Sequence, residues 1–163
     1  MIKFIITGGT LDKRYNPLNG ELEFSVTHLP ALLQQGRCTL ALNFQQLMLK
    51  DSLNINAADR IAITTACINS TEQRLIVTHG TDTMVNTAAQ IAQATLTKTI
   101  ILVGAMVPCT IQQSDALFNL GCAITAVQLL PIGVYIVMNG QIFNWDKVMK
   151  DTQAGEFKAL NHA

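Results

Sequence analysis

Three short stretches carry residue types able to do acyl chemistry: Thr7-Gly-Gly-Thr10, His79-Gly-Thr-Asp-Thr83, and the lysines Lys147 and Lys150 that follow Trp145-Asp146. A threonine hydroxyl holds its proton well above neutral pH, so it attacks a carbonyl only with the help of a base or relay. Asp82 does not readily deprotonate a hydroxyl by itself. A lysine kept neutral by burial can, and a nearby carboxylate can orient it. Lys147 and Lys150 are the candidates, because both follow the last apolar run, where the polypeptide can return to the same edge. The glycines add a second capability: beside them the backbone turns tightly and brings amide N–H groups close to a ligand. A plain turn accounts for TGGT equally well, and Asp82 as a helix cap followed by Thr83 accounts for part of the second stretch. Neither explains His79 and Thr81 bordering a glycine just after an apolar run.

Other chemistries find less support. There is no G-x-G-x-x-G and no G-x-x-x-x-G-K-[ST], so nucleotide binding is not indicated. Cys38, Cys67, Cys109 and Cys122 have no CxxC spacing, and the three histidines lie far apart. Free thiols in a reducing compartment are expected, with no metal and no cofactor. Eleven lysines and arginines balance eleven acidic residues with no basic run, which argues against nucleic acid as a partner. The opening MIKFIITGGT has an apolar run too short for a signal peptide or membrane span. The expectation is a cytoplasmic protein away from membranes. Hydrophobic residues make up 49% of the chain and charged ones 13%. That balance suggests apolar surface covered by another subunit, a dimer or tetramer, although strands buried on both faces account for much of it.

Short apolar runs at residues 2–6, 38–44, 74–77, 99–103 and 134–138 end in polar or glycine-rich breaks. Their β-branched residues without alternation suit strands buried on both faces of a parallel sheet. Helical patterns separate them at 29–35, closed by Gly36; at 57–70, capped by Asn56, with Ile61, Thr64, Thr65 and Ile68 on one face; at 83–94, with Ala88, Ile91 and Ala92; and at 114–129, capped by Ser114 or Asp115, with Leu117, Leu120, Gly121, Ile124 and Val127. Strand–helix alternation predicts an α/β fold: an open, mainly parallel sheet with helices on both faces, in a single domain. Ligands in such sheets bind beyond the carboxyl ends of the strands, where the polar breaks share one edge.

With these motifs in hand, the chain resembles the bacterial-type L-asparaginases, through TGGT at 7–10, VTHGTDTM at 77–84, VGAM at 103–106 and SDALFNL at 114–120. The likeness runs to about Leu160 and covers only the N-terminal domain of the two-domain enzymes. A single N-terminal-type domain over 1–163, without the family's C-terminal domain, is therefore expected. The resemblance implies that Thr10 is the nucleophile that attacks the side-chain amide carbon. It implies that Thr81, Asp82 and Lys150 form a second triad assisting proton transfer, with Asp82 also meeting the substrate amino group. Tyr15 matches the tyrosine of a mobile loop, here about residues 11–27, that activates the first threonine. Ser52 matches a serine that holds the α-carboxylate, and Ala105 a backbone carbonyl facing the scissile amide. Amides at Gly9–Thr10 and Gly80–Thr81 are placed to hold a carboxylate or a developing oxyanion. His79 reads as a structural histidine, Asp115 and Asn119 as cap and packing residues, and Cys109 as incidental.

The pattern departs from the family at Leu53, where many relatives carry a polar residue beside the serine. It departs again in lacking the second domain, which supplies a carboxylate from a neighbouring subunit to the substrate amino group. That role falls to Asp82 alone, to another subunit surface, or to nothing; losing one charge-assisted bond weakens binding by about 1–3 kcal/mol. The implied function is hydrolysis of L-asparagine to L-aspartate and ammonia. The alternatives are a glutaminase or amidase of the same superfamily, an amidase partner in amide transfer, and a catalytically poor amino-acid-binding or regulatory module.

Overall fold

The computed structural model describes residues 1–160. In chain order the elements are β1 (Ile2–Gly8), β2 (Lys13–Asn16), β3 (Glu21–Phe24), α1 (Leu29–Gln35), β4 (Leu42–Lys50), α2 (Ala57–Asn69), β5 (Arg74–Thr78), α3 (Met84–Gln93), β6 (Thr99–Val103), α4 (Ala116–Leu129), β7 (Gly133–Met138), β8 (Gln141–Asn144), β9 (Val148–Asp151) and β10 (Glu156–Ala159). Six strands make one sheet in the order β4-β1-β5-β6-β7-β8, parallel except for the β7–β8 hairpin. The apolar runs become its centre because strands covered on both faces need apolar side chains in both directions. Phe4, Ile76 and Ile101 are fully buried. Helices cover both faces, α2 lying beside α3 and α4 lying across β5, β6 and β7.

The second apolar run is displaced from its expected place. The strand is Leu42–Lys50 rather than 38–44, and Leu40 stands outside it, 39% exposed. An edge strand does not need apolar residues on both faces, so Gln45 and Gln46 sit inside β4 and hide it from a search for apolar runs.

The helices fall where expected, but two of their buried faces differ. In α2 the buried residues are Ile63, Thr64, Ala66 and Cys67, while Ile61 and Ile68 look outward. Both stripes are apolar, so sequence periodicity does not choose between them. In α4 the buried set is Ala116, Asn119, Leu120, Ala123, Ala126 and Val127, because this helix is apolar nearly all round. Asn56 caps α2 through a reciprocal capping box with Asp59. At the end of α1 the left-handed residue is Arg37 (φ 53°) instead of Gly36, with Cys38 N–H reaching Leu33 O and Arg37 N–H reaching Gln34 O.

The register of the sheet sets up the site. Ile6 pairs with Thr78, and Thr78 with Val103, so β1, β5 and β6 release their chains side by side at one edge. A separate hairpin of β9 and β10 docks on that end through buried Val148 and Phe157. Asn139, in the turn between β7 and β8, fixes it by accepting the Phe157 N–H at 3.0 Å.

Candidate active site

The turns after β1 and β5 are in backbone contact. Gly9 has φ 85° and ψ 178°, and a Cβ there would lie 2.6 Å from Gly80 Cα and 2.7 Å from the His79 carbonyl carbon. Only a glycine allows this conformation and approach. Thr10 follows Gly9 into a 3-10 turn, Thr10–Asp12, and Thr81 follows Gly80. Thr10 is half-buried and Thr81 is buried, 4% exposed.

A third turn completes the floor. After β4 the backbone enters the 3-10 turn Ser52–Asn54, where Ser52 is buried. Its hydroxyl accepts the Asp82 N–H at 3.2 Å, and its carbonyl accepts the Thr83 hydroxyl at 2.8 Å. Gly80 again allows the approach, since a Cβ on it would fall 2.7 Å from Ser52 Oγ. Gly9 N–H donates to Lys50 O at 2.9 Å, tying the first turn to the third.

Lys150, in β9 opposite Phe157, reaches over this floor. Its ammonium lies 2.7 Å from Thr81 Oγ1 and 2.5 Å from Asp82 Oδ1. The Lys150 side chain is 15% exposed and that of Asp82 40%, so the pair lies at the mouth of the site. Lys147 is exposed in the preceding turn, and its N–H donates to Asn144 O. Geometry therefore brings Lys150, and not Lys147, to Thr81. The pairing also corrects the expected cap of α3. Thr83 occupies the cap position without a capping bond from its hydroxyl, and the Asp82 carboxylate turns to the lysine.

The turn after β6 carries buried Ala105. Asp115 holds it by accepting the N–H groups of Met106 and Val107, each at 3.0 Å. Asn119 donates to Gly104 O at 3.1 Å and to Asp115 Oδ2 at 2.8 Å, and accepts from Asn139 N–H. Asp115 is thus a loop clamp more than a helix cap: its carboxylate serves the loop, and Ser114 Oγ accepts the Ala116 N–H.

Among the described residues no hydrogen bond joins Tyr15 to Thr10. Tyr15 lies in the β2–β3 hairpin, 57% exposed, its hydroxyl 4.0 Å from where a Gly20 Cβ would stand. Asp12 closes the base of that excursion by accepting the Thr27 hydroxyl at 3.0 Å and the His28 N–H at 2.7 Å. Burial pushes the Asp12 carboxyl above its ordinary value, against those two bonds. An ion pair between Lys13 and Asp51 ties the hairpin to the Ser52 turn. Burial works against the Asp51 charge, yet the Lys13 ammonium and the Leu53 N–H, with Lys150 nearby, hold its carboxyl below the usual range. Sequence reasoning missed this pair. The only signal was a lysine three positions after Thr10 and an aspartate immediately before Ser52.

His79 is fully buried between backbone and helix. Its Nδ1 lies 2.7 Å from Gly80 O, which can only accept, so Nδ1 carries the proton. Nε2, at 2.8 Å, is left to accept the Thr87 hydroxyl. Burial, opposed by the Gly80 bond, lowers its pKa from 6.5 to about 4. The unfolded protein then binds a proton through a pH range in which the folded protein does not. Stability is complete above the unfolded pKa and falls as pH drops from 6.5 towards 4, by about 3 kcal/mol. Urea unfolding between pH 7 and pH 4.5 checks this, with a flatter profile expected for His79→Gln.

A family model described as "Asparaginase, N-terminal" matches residues 1–163. The D subunit of glutamyl-tRNA(Gln) amidotransferase from Thermococcus kodakarensis is 30% identical over 144 residues, which are 83% of this chain and 32% of that protein. L-asparaginase 2 from Escherichia coli is 36% identical over 93 residues, 53% of this chain and 27% of that protein. The thermostable L-asparaginase structure from Thermococcus kodakarensis superposes with a TM-score of 0.87 at 24% identity, covering 100% of this chain and 52% of that one. L-asparaginase I from Vibrio cholerae gives a TM-score of 0.84 at 22% identity, covering 99% and 52%. The chain spans about a third of the length of these curated relatives and about half that of the solved structures.

Proposed function

Because this chain belongs to the asparaginase family, matching its N-terminal domain, we propose that it is an amidohydrolase that converts L-asparagine to L-aspartate and ammonia. The observation that carries the reading is the contact of Lys150 Nζ with both Thr81 Oγ1 (2.7 Å) and Asp82 Oδ1 (2.5 Å), above the glycine turn that backs onto Gly9. A site for binding alone has no need of a lysine bonded to both a hydroxyl and a carboxylate.

In this reading the Thr10 hydroxyl attacks the side-chain amide carbon, and its proton goes to the departing nitrogen. Ammonia leaves and an ester to Thr10 remains. Water then attacks the ester, with Thr81 and Lys150 relaying its proton, and the freed acid leaves Thr10 restored. With the Gly9 N–H held by Lys50 O, the Thr10 N–H and the amides of the Gly80–Thr81 turn face the developing oxyanion, each well-placed donor contributing about 3–4 kcal/mol. Ser52 holds the α-carboxylate, the Ala105 carbonyl faces the amide nitrogen, and Asp82 meets the amino group through its free oxygen. Tyr15, on the β2–β3 hairpin, activates Thr10 in this reading. The protein acts in the cytoplasm without metal or cofactor, as a dimer or tetramer. Exposed Phe118, Leu129 and Ile142 are consistent with burial between subunits.

A second reading comes from the relative named as part of an amidotransferase: the same amidase chemistry could feed ammonia to a partner. One assay separates the two. The purified protein alone releases ammonia from L-asparagine, with L-glutamine as comparison, if the first reading holds. Release that requires a partner protein supports the second.

A further inference from the structure

Strands β2 and β3 make a two-stranded sheet of their own. An isolated hairpin is marginal in water, so its direction is set where it is rooted. The root is Lys13 with its cross-strand partner Phe24. The Lys13 carbonyl accepts the Thr110 hydroxyl at 3.2 Å, and its ammonium passes the Phe24 ring at 5.7 Å to pair with Asp51. Strand alternation puts Tyr15 and Leu22 on the same face as Lys13 and Phe24. The ion pair therefore turns the Tyr15 face towards the Ser52 turn. Farther out the hairpin is more open to solvent: Tyr15 is 57% exposed and Leu18, near the tip, 94%.

Asp51 serves two segments at once. Its Oδ1 accepts the Leu53 N–H at 3.0 Å and so shapes the turn that carries Ser52, while its Oδ2 takes the Lys13 ammonium. We propose that the Lys13–Asp51 pair is the latch that sets the Tyr15 hairpin over the site, which makes Lys13 and Asp51 positioning residues for the reaction. Through this pair, the turn assigned to the substrate α-carboxylate also orients the loop assigned to Thr10. Burial raises the Asp51 carboxyl, but the Lys13 ammonium, the Leu53 N–H and nearby Lys150 outweigh it, so the latch is charged at neutral pH. Its side chains are 18% and 27% exposed, which shelters the pair from salt more than an open surface pair.

This inference rests on the amidohydrolase reading, and the experiment keeps the two apart. Ammonia release from L-asparagine and L-glutamine is measured for the wild type, Lys13→Met, Asp51→Asn, their double variant, and Lys13→Arg. Chymotrypsin cleavage within residues 15–24 is the second readout. Methionine keeps a stem over Phe24 without the charge, and asparagine keeps an oxygen for the Leu53 N–H. Each single variant lowers kcat by about tenfold or more and moves KM by less than about threefold, because a loosened hairpin misplaces Tyr15 and removes nothing that holds the substrate. The double variant loses no more than the worse single one, as partners in one interaction do. Lys13→Arg keeps the charge and turns over within about threefold of wild type. Cleavage of the hairpin is several-fold faster in Lys13→Met and Asp51→Asn, and not in Lys13→Arg. Arg14→Met, which breaks the pair with Glu23 on the opposite face of the hairpin, leaves kcat unchanged. Wild-type kcat in Lys13→Met, losses that multiply in the double variant, an arginine no better than methionine, or unchanged cleavage overturns the inference and leaves the amidohydrolase standing. Ammonia from neither amide with the wild type overturns the reaction itself, and the inference with it.

Discussion

Lys150→Met lowers ammonia release by about 10²–10⁴-fold while the fold survives. Methionine keeps the length of the lysine stem and so its packing, but it has no proton to give or take. Thr81 Oγ1 then loses its 2.7 Å partner, and a hydroxyl without a relay is a poor participant in acyl transfer. The hairpin keeps its place because Val148 and Phe157 anchor it and Asn139 holds the Phe157 N–H. Asp82 loses its counter-ion, but its side chain is 40% exposed and is hydrated instead, so the stability change stays within about 1 kcal/mol. The loss falls on kcat more than on KM, because proton transfer and not ground-state binding is removed. Lys150→Arg does not rescue, since a planar guanidinium does not reproduce the single Nζ that contacts both Thr81 Oγ1 and Asp82 Oδ1. Lys147→Met is the control and changes little, its side chain being exposed in the turn before β9. Steady-state kinetics beside thermal melting reads all three variants.

Gly9→Ala has the second large effect, and it acts on architecture. The backbone at φ 85° and ψ 178° belongs to a region that only glycine populates freely. The added methyl also meets Gly80 Cα at 2.6 Å, where both neighbours are backbone and cannot step aside. Strain and forced separation together destabilise the fold by about 3 kcal/mol or more. Turnover falls at least about 100-fold even in the folded fraction, because a shift of about 1 Å separates Thr10 from Thr81. Gly121→Ala provides the contrast. Its Cβ meets nothing within 4 Å on the surface of α4, and the substitution stabilises the protein by about 0.5–1 kcal/mol. Chemical denaturation of the two variants against wild type tests the pair.

Much of this arrangement is legible in the sequence, for identifiable reasons. Strands β1, β5, β6 and β7 announce themselves because burial on both faces demands uninterrupted apolar runs, and their polar ends mark the ligand edge. β4 does not, because an edge strand tolerates Gln45 and Gln46. The β9–β10 hairpin that delivers Lys150 is hidden for a different reason. Its strands are short, and what fixes it is a tertiary series of bonds from Asn119 through Asn139 to the Phe157 N–H. By residue type Lys147 and Lys150 both follow the last apolar run, and before that series sets the register only the family resemblance favours Lys150. Asp82 shows the limit of local rules: an aspartate before a helix reads as a cap, yet a lysine 68 positions away takes its carboxylate. The Lys13–Asp51 pair is likewise beyond local pattern, since it joins the β2–β3 hairpin to the turn after β4, segments far apart in sequence.

The most direct test is ammonia release by Thr10→Val and Thr81→Val, singly and combined. Valine keeps the branched shape and deletes only the hydroxyl. Each single variant is expected to lose about 10³-fold, and the double variant to lose little more than either, as groups that act in one reaction do. Wild-type turnover in either single variant, or losses that multiply in the double, would contradict the claim that the two hydroxyls serve one amide.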